Sequence, residues 1–426
     1  MSQKEPLSTE PYKGVRDFYP TEWAVLQEVF STVRTLLVRN GFEEYNASPL
    51  ERSELYESKT SEEIVSEQTY TFTDRGDRSV TLRPEMTPTL ARMVAGKRRE
   101  LVYPLRWFSI GNRFRYERPQ KGRLREFYQI DVDIVGLSSG AAEEEVLVTA
   151  DKILRSFGAQ SSDYTIRVNS RVLLNVACEA LGLASDEVRD YLSLLDRKNK
   201  ISAEEFETAR APFRRDGTDA LELIEAGTNE AVASEFRKLT TLIDSLQGRT
   251  VGTVVFDPTV VRGFMYYTGV IFEIFDTDPD NARSLMGGGR YDGLVSLFGG
   301  EPLAAMGFAI GDVTLLDFLR AHNLLPAVSS APRLFIGTPS ETDIATAHAF
   351  ADTLRESGLS VLVNVTDKGL GDQIKEAVRR GIPYFIAFGE EERLTSSVTI
   401  KNLNESSETV SVPLSGVALE LLQSTL

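Results

Sequence analysis

At 426 residues, with 42% hydrophobic and 26% charged side chains, the chain is too long for one ordinary core and implies two or three globular domains. A formal charge of −16 argues against non-specific nucleic-acid binding over the whole surface and confines any such contact to local basic patches. One cysteine, Cys178, and two histidines, His322 and His348, exclude a disulfide framework and a cysteine- or histidine-rich metal site, and argue against a Ser/His triad. No apolar run approaches the roughly 20 residues that a membrane span needs. The polar start MSQKEPLSTEPYKG has no signal-peptide hydrophobic region, so a cytoplasmic protein without a membrane partner is expected.

In chain order, residues 20–40 carry apolar side chains at Trp23, Leu26, Val29, Phe30, Val33, Leu36 and Leu37, a helical period closed by Gly41. TYTFTD and SVTLRP read as strands around a turn at Arg75–Gly76–Asp77. TPTLARMVA reads as a helix start, with Thr87 as N-cap and Pro88 at the first helical position. Two strands follow, then a helix with apolar positions at Val146, Leu147, Ala150, Ile153, Leu154 and Phe157, ended by Gly158. From about 171 to 250 strand signals vanish and segments such as NEAVASEFRKLTTLIDSL predict a helical insertion. Strand patterns return in TVVFDPTVVRGFMYYTGVIFEIF, and punctuation from Pro326 to Pro332 marks a linker. Beyond it, alternating strand and helix signals over 334–388 predict a small α/β domain with parallel strands.

The densest chemistry lies in RFRYERPQKGRLREFYQIDVDIVG, residues 113–136. Strand alternation puts Phe108, Ile110 and Phe114 on one face of the first strand, and Ser109, Gly111, Arg113 and Arg115 on the other. In the second strand Tyr128, Ile130, Val132 and Ile134 share a face, opposite Arg125, Phe127, Gln129, Asp131 and Asp133. The connection ERPQKGRLR is basic, kinked by Pro119 and Gly122, and long for a hairpin. Two readings stay open from these residues alone. One is a solvated face of weak cross-strand ion pairs. The other is a floor on which arginine forks hold phosphate while carboxylates and Gln129 read a hydrogen-bond donor.

This stretch, through FRYERPQKGR and the following FYQ, resembles motif 2 of class II aminoacyl-tRNA synthetases in the form found in the histidyl-tRNA synthetase family. The resemblance covers nearly the whole chain. TLRPEMTP is similar to the family's loop for the amino group of histidine, VVRGFMYYTGVIFE to a segment peculiar to the family, and GGGRYDGL to its substrate floor. GIPYFIAFGEEE and SVTIKN resemble its anticodon-binding domain, in which Lys375 and Arg379 lie one helical turn apart.

The implied fold is an α+β class II synthetase catalytic domain, an antiparallel sheet flanked by helices, with a helical insertion and a C-terminal α/β anticodon-binding-like domain. The implied boundaries are 1–170 and 251–326 for the catalytic parts, 171–250 for the insertion and 332–426 for the last domain. The implied activity is histidine–tRNA ligation with ATP and Mg²⁺, on histidine and tRNA(His), by a cytoplasmic homodimer whose contact lies near residues 40–50. By the same resemblance Arg262 and Arg115 are catalytic, and Glu85, Thr87, Gln129, Asp133, Tyr266 and Tyr267 bind histidine. Arg115, Glu117 and Arg123 bind ATP, Arg118 and Gln120 meet the tRNA acceptor end, and no side chains are assigned to a metal.

Two departures stand out. Where the family's third motif has Gly-x-Glu-Arg, with an arginine packed against ATP, this chain reads GFAIGDVTLLDFL and has Thr314 at the arginine position. Arg290 or Arg123 could compensate. Asp133 stands where glutamate is usual, which shortens its reach by one methylene. The altered motif leaves one alternative: a non-catalytic, histidine-sensing regulatory subunit of ATP phosphoribosyltransferase. The C-terminal domain and Arg115, Arg123 and Arg262 weigh against it.

Overall fold

The computed structural model describes residues 7–57, 68–118, 120, 122–198, 201–262, 266–281, 283–404 and 408–423. It divides into two compact units, Met1–Tyr19 with Val25–Pro326, and Pro20–Ala24 with Ala327–Leu426. In the first unit the strands are β1 (Glu43–Glu44), β2 (Leu50–Arg52), β3 (Tyr70–Thr73), β4 (Ser79–Leu82), β5 (Leu105–Phe114), β6 (Glu126–Val135), β7 (Tyr164–Ser170), β8 (Thr253–Phe256), β9 (Val270–Asp276), β10 (Ser284–Arg290) and β11 (Ala305–Gly311). Eight of them form one sheet in the order β1-β5-β6-β11-β10-β9-β7-β8. Its pairs are antiparallel except for the parallel pairs β1–β5 and β7–β8. The strands β2, β4 and β3 make a separate antiparallel sheet, with the turn between β3 and β4 at the expected Arg75–Asp77.

The alternation in β5 and β6 decides what each face of the large sheet does. Phe108, Ile130, Val132 and Ile134 join one apolar cluster with Leu26, Val29, Phe30 and Val33 of the helix Pro20–Arg39. Val146 and Leu147 of the helix Ala141–Arg155 and Phe318 of the helix Asp312–Ala321 complete that packing. Each such side chain contributes about 1.5–3 kcal/mol by leaving water. The opposite face, carrying Gln129, Asp131 and Asp133, is left for polar chemistry.

Between 171 and 250 the chain forms the helices Arg171–Ala180, Ser185–Asp196, Ala203–Arg210, Ala220–Ala226 and Glu230–Leu246. Capping boxes start two of them: the Ser202 hydroxyl accepts from the Glu205 amide while the Glu205 carboxylate accepts from the Ser202 amide, and Asp219 and Glu222 repeat the pattern. Leu173, Tyr191, Phe206, Ile224 and Leu239 belong to the same apolar cluster as the sheet, so these helices share its core.

The second unit contains β12 (Leu334–Gly337), β13 (Val361–Val363), β14 (Tyr384–Ala387), β15 (Ser397–Asn402) and β16 (Thr409–Pro413), ordered β13-β12-β14-β15-β16. The first three strands pair in parallel, as the alternation predicts; β15 and β16 add antiparallel pairs. Helices carry the chain across between the parallel strands, the short helix Glu390–Thr395 turns it back from β14 into antiparallel β15, and β15 returns directly into β16.

Candidate active site

The floor of the site is the polar face of β6 and the strands beside it. Asp133 pairs with Gly307 of β11, Asp131 with Ala309 and Gln129 with Gly311. Across β10 the row continues through Gly289 and Gly287 to Glu273 of β9. Small residues therefore flank the three polar side chains of β6. A β-carbon at Gly307 would overlap the Asp133 carboxylate, and one at Gly287 would overlap the Arg262 guanidinium. The glycine run is there to make room.

Two adjoining cavities open on this floor. The smaller, about 140 Å³, is lined by Glu85, Thr87, Gln129, Asp133, Tyr266 and Tyr267 among others, which brings all six residues predicted for histidine to one place. The larger, about 270 Å³, is lined by Glu117, Arg123, Phe127 and Thr314. Arg115 and Arg262 line both.

In the smaller cavity the Tyr266 hydroxyl donates to Glu85 Oε2 at 2.9 Å and also meets Thr87. Burial, and then the Glu85 charge, raise the Tyr266 pKa, so it remains a donor at neutral pH. Thr87 is the first helical residue and not the expected N-cap: Met86 precedes it with helical φ and ψ of −105° and −25°. A capping side chain must fold back onto the helix amides, and this one is turned to Tyr266 instead.

Asp133 is 4% exposed, and burial pushes its carboxyl up to about 8, opposed by the hydrogen bond from the Tyr291 hydroxyl. That bond is 2.5 Å long. Gln129 donates through Nε2 to Asp131 Oδ1 at 2.7 Å, and Asp131 takes a 2.5 Å ion pair from the wholly buried Arg113. Asp131, which the sequence left without a role, thus fixes the Gln129 amide. Tyr291 was also missed, although it lies two residues beyond the glycine run. Tyr45, within the stretch expected at a dimer contact, packs on Trp107, and its buried pKa is raised further by Asp133 and Asp131.

Arg262 has the backbone of a left-handed residue, φ +57°, a conformation that costs a non-glycine residue on the order of 1 kcal/mol. Its guanidinium lies near the Tyr267 ring and reaches Glu273 at 3.3 Å. Burial alone would lower its pKa, but Tyr267 and Glu273 raise it, so the charge is retained. Its Nε is buried and, among the described residues, has no hydrogen-bond acceptor. A free, charged donor in a strained position is suited to a carboxylate or phosphate oxygen.

Arg115 donates through Nε to the Pro84 carbonyl at 3.0 Å and lies over Phe127. Glu117 pairs with Arg123 at 3.2 Å and stands 3.9 Å from Arg115. Gln120 and Arg123 close a turn through paired backbone bonds of 2.9 and 3.1 Å, with Gly122 at φ +73°. Arg118, Gln120 and Arg123 are exposed on this loop, and Pro119 lies outside the described residues.

The third-motif departure has a structural use. Asp312 is buried, accepts from Arg16 at 2.6 Å and from the Tyr128 amide at 3.0 Å, and so fastens the helix start to β6. The Thr314 hydroxyl is spent on the Leu285 and Gly311 carbonyls. Arg290 does not compensate: its guanidinium is held by Glu143 at 2.5 and 2.6 Å and by Asp292, because that buried carboxylate needs a cation.

This geometry has counterparts. Residues 14–314 match a family model described as histidyl-tRNA synthetase, and residues 335–424 match one described as anticodon binding domain. The chain belongs to the histidyl-tRNA synthetase family. A histidine–tRNA ligase of Leptospira biflexa is 42% identical over 414 residues, covering 94% of each chain. One from Natronomonas pharaonis is 36% identical, with 94% of this chain and 95% of that one covered. Among solved structures, the fold is similar to histidyl-tRNA synthetase from Nostoc sp. PCC 7120, at a TM-score of 0.82 and 21% identity over 98% of this chain and all of that one. It is also similar to an ATP phosphoribosyltransferase regulatory subunit/histidyl-tRNA synthetase from Bacillus halodurans, at 0.70 and 22% over 91% of this chain and all of that one. No helix among the described residues is long and apolar enough to cross a membrane.

Proposed function

We infer that the chain is a histidine–tRNA ligase. The observation that carries this reading is the pair Arg115 and Arg262, which line the amino-acid cavity and the larger cavity together. A histidine carboxylate and the α-phosphate of ATP repel each other, and two cations at the seam stabilise the negative charge that concentrates there in the transition state. The carboxylate oxygen attacks the α-phosphorus, the bond to the β-phosphate bridging oxygen breaks, and pyrophosphate leaves. A ribose hydroxyl of the terminal adenosine of tRNA(His) then attacks the carbonyl carbon of histidyl-adenylate, and AMP leaves. Holding both reactants on one rigid floor supplies much of the acceleration.

In this reading Glu85 and Thr87 hold the histidine amino group, while Gln129, Asp133 and the walls Tyr266 and Tyr267 read the imidazole. Phe127 supports the nucleotide base, Glu117 meets the adenine region, and Arg115 and Arg123 hold phosphates. Arg118 and Gln120, exposed on the loop, reach for the acceptor end of the tRNA. Among the described residues no cluster of three or more His, Cys, Asp or Glu is arranged around a metal. Mg²⁺ would enter on the triphosphate, with Glu117 and Glu273 the carboxylates that line its cavity, and would supply charge neutralisation there. The short edge strand β1, exposed at Glu43 and Glu44, supports a homodimer contact at residues 40–50. Residues 332–426 are assigned to anticodon binding, with Lys375 and Arg379 exposed on one helix, and the cytoplasm is the expected compartment.

The test is histidine-dependent exchange of labelled pyrophosphate into ATP by the purified chain, with Mg²⁺ and without tRNA. Exchange with histidine and with no other amino acid is expected. Histidine binding without any exchange would overturn this reading in favour of a regulatory relative.

A further inference from the structure

Thr314 brings no charge to the nucleotide cavity, yet a cation stands beside it. Arg283 lies just ahead of β10, and its side chain passes over the same point of the motif 2 loop as Thr314. A β-carbon at Gly122 would lie 3.2 Å from Arg283 Cδ and 3.9 Å from Thr314 Cγ2. Arg283 lines a cavity of about 400 Å³, and Gly122, Leu285 and Thr314 line both it and the nucleotide cavity, so the two adjoin. Three aspartates line that cavity: Asp276 is engaged by His322 at 2.8 Å, Asp317 by Arg320 at 3.2 Å, and Asp280 is not free either. Among the described residues Arg283 makes no hydrogen bond and no ion pair. Burial and the nearby Arg123 charge both lower its pKa. At the Gly122 turn the two guanidiniums approach each other, and Glu117, paired with Arg123, is the carboxylate whose charge acts on Arg283.

We propose that Arg283 supplies the nucleotide contact that Thr314 lacks, entering from the start of β10 and holding the outer phosphates of ATP together with Arg123. The inference rests on the ATP-dependent reading above. It treats the altered third motif as a relocation of the cation: Asp312 took up the anchoring of Arg16 and Tyr128, and the phosphate charge moved to a neighbouring strand.

Direct titration of the full chain with ATP and Mg²⁺ by calorimetry tests this, with pyrophosphate exchange beside it. Arg283→Ala is expected to weaken ATP binding and raise the KM for ATP about tenfold, the scale of a charge-assisted contact, and to leave the KM for histidine within about twofold. Adding Thr314→Arg to that variant is expected to restore most of the ATP affinity. An ATP affinity in Arg283→Ala unchanged within twofold would overturn the proposal, as would an equal loss of histidine affinity. If the wild-type chain binds ATP but shows no exchange, the ligase reading falls, and loss of ATP binding in Arg283→Ala would still uphold the contact.

Discussion

The two cavities that share Arg115 and Arg262 are built on opposite plans. In the smaller one the polar groups are buried and already partnered within the protein: Asp133 with Tyr291, Gln129 with Asp131, Glu85 with Tyr266. In the larger one the cation at the mouth is exposed and loosely paired, as Arg123 is with Glu117, and in the cavity that adjoins it Arg283 is exposed as well. The difference follows from what each would hold. A small, nearly neutral ring is told from others by fixed donors and acceptors, and a wrong ring leaves buried groups unpaired. A polyphosphate brings its own charge, so solvent-facing cations can wait in weak pairs and exchange them for the ligand.

The seam between the two is where the contrast is most easily broken. Arg262→Ala should lower kcat/KM for pyrophosphate exchange by about a thousandfold, since it removes charge from the reacting carboxylate and phosphate at once. Circular dichroism should show an intact fold. Exchange at the wild-type rate would remove Arg262 from the mechanism.

The buried plan also predicts a stability cost where the open one predicts none. Arg113 is wholly buried against Asp131, so Arg113→Met leaves that carboxylate without its counter-charge, a loss of about 3–5 kcal/mol. The unfolding midpoint in urea should fall accordingly. The KM for histidine should rise with it, because Asp131 also orients Gln129.

Asp133 sharpens the point through its pH dependence. Its carboxyl titrates near pH 8 in the folded chain and near 3.8 when unfolded. Between those values the folded state holds the extra proton, so its stabilisation is complete below the unfolded value and is lost as pH rises through the folded one. Asp133→Asn carries no such titration. Its stability relative to wild type should therefore climb with pH across that window, by about 1.4 kcal/mol per unit, while its KM for histidine rises. Melting temperatures of both proteins from about pH 5 to pH 9 check this, and a constant difference would refute it.

These predictions divide along the line between what was legible in the sequence and what was not. Strand alternation correctly placed Gln129, Asp131 and Asp133 on one face, because the period of a strand is fixed by its backbone. It could not say which of them meet, since partners come from other strands: Tyr291 is 158 positions from Asp133. Alternation likewise put Arg113 on the polar face, where it proved to be the buried counter-ion of Asp131. The boundary error at Thr87 has the same origin, as only the fold reveals that its hydroxyl faces Tyr266. Arg283 lay in an irregular segment with no period to mark it. The resemblance supplied what periodicity lacked, by tying TLRPEMTP and VVRGFMYY to one site across 171 residues of chain that hold no direct signal of that contact.

The smallest expected effect is the most discriminating for the open plan. Arg123 is half exposed, and its pair with Glu117 spans 3.2 Å at the cavity mouth. An exposed pair contributes about 0–1 kcal/mol, and less as salt rises. Arg123→Ala should accordingly leave the melting temperature nearly unchanged and raise the KM for ATP severalfold, with the difference shrinking at high salt. If the variant instead melted several degrees lower, Arg123 would belong to the scaffold. The larger cavity would then be held together by its cations, as the smaller one is by its buried pairs.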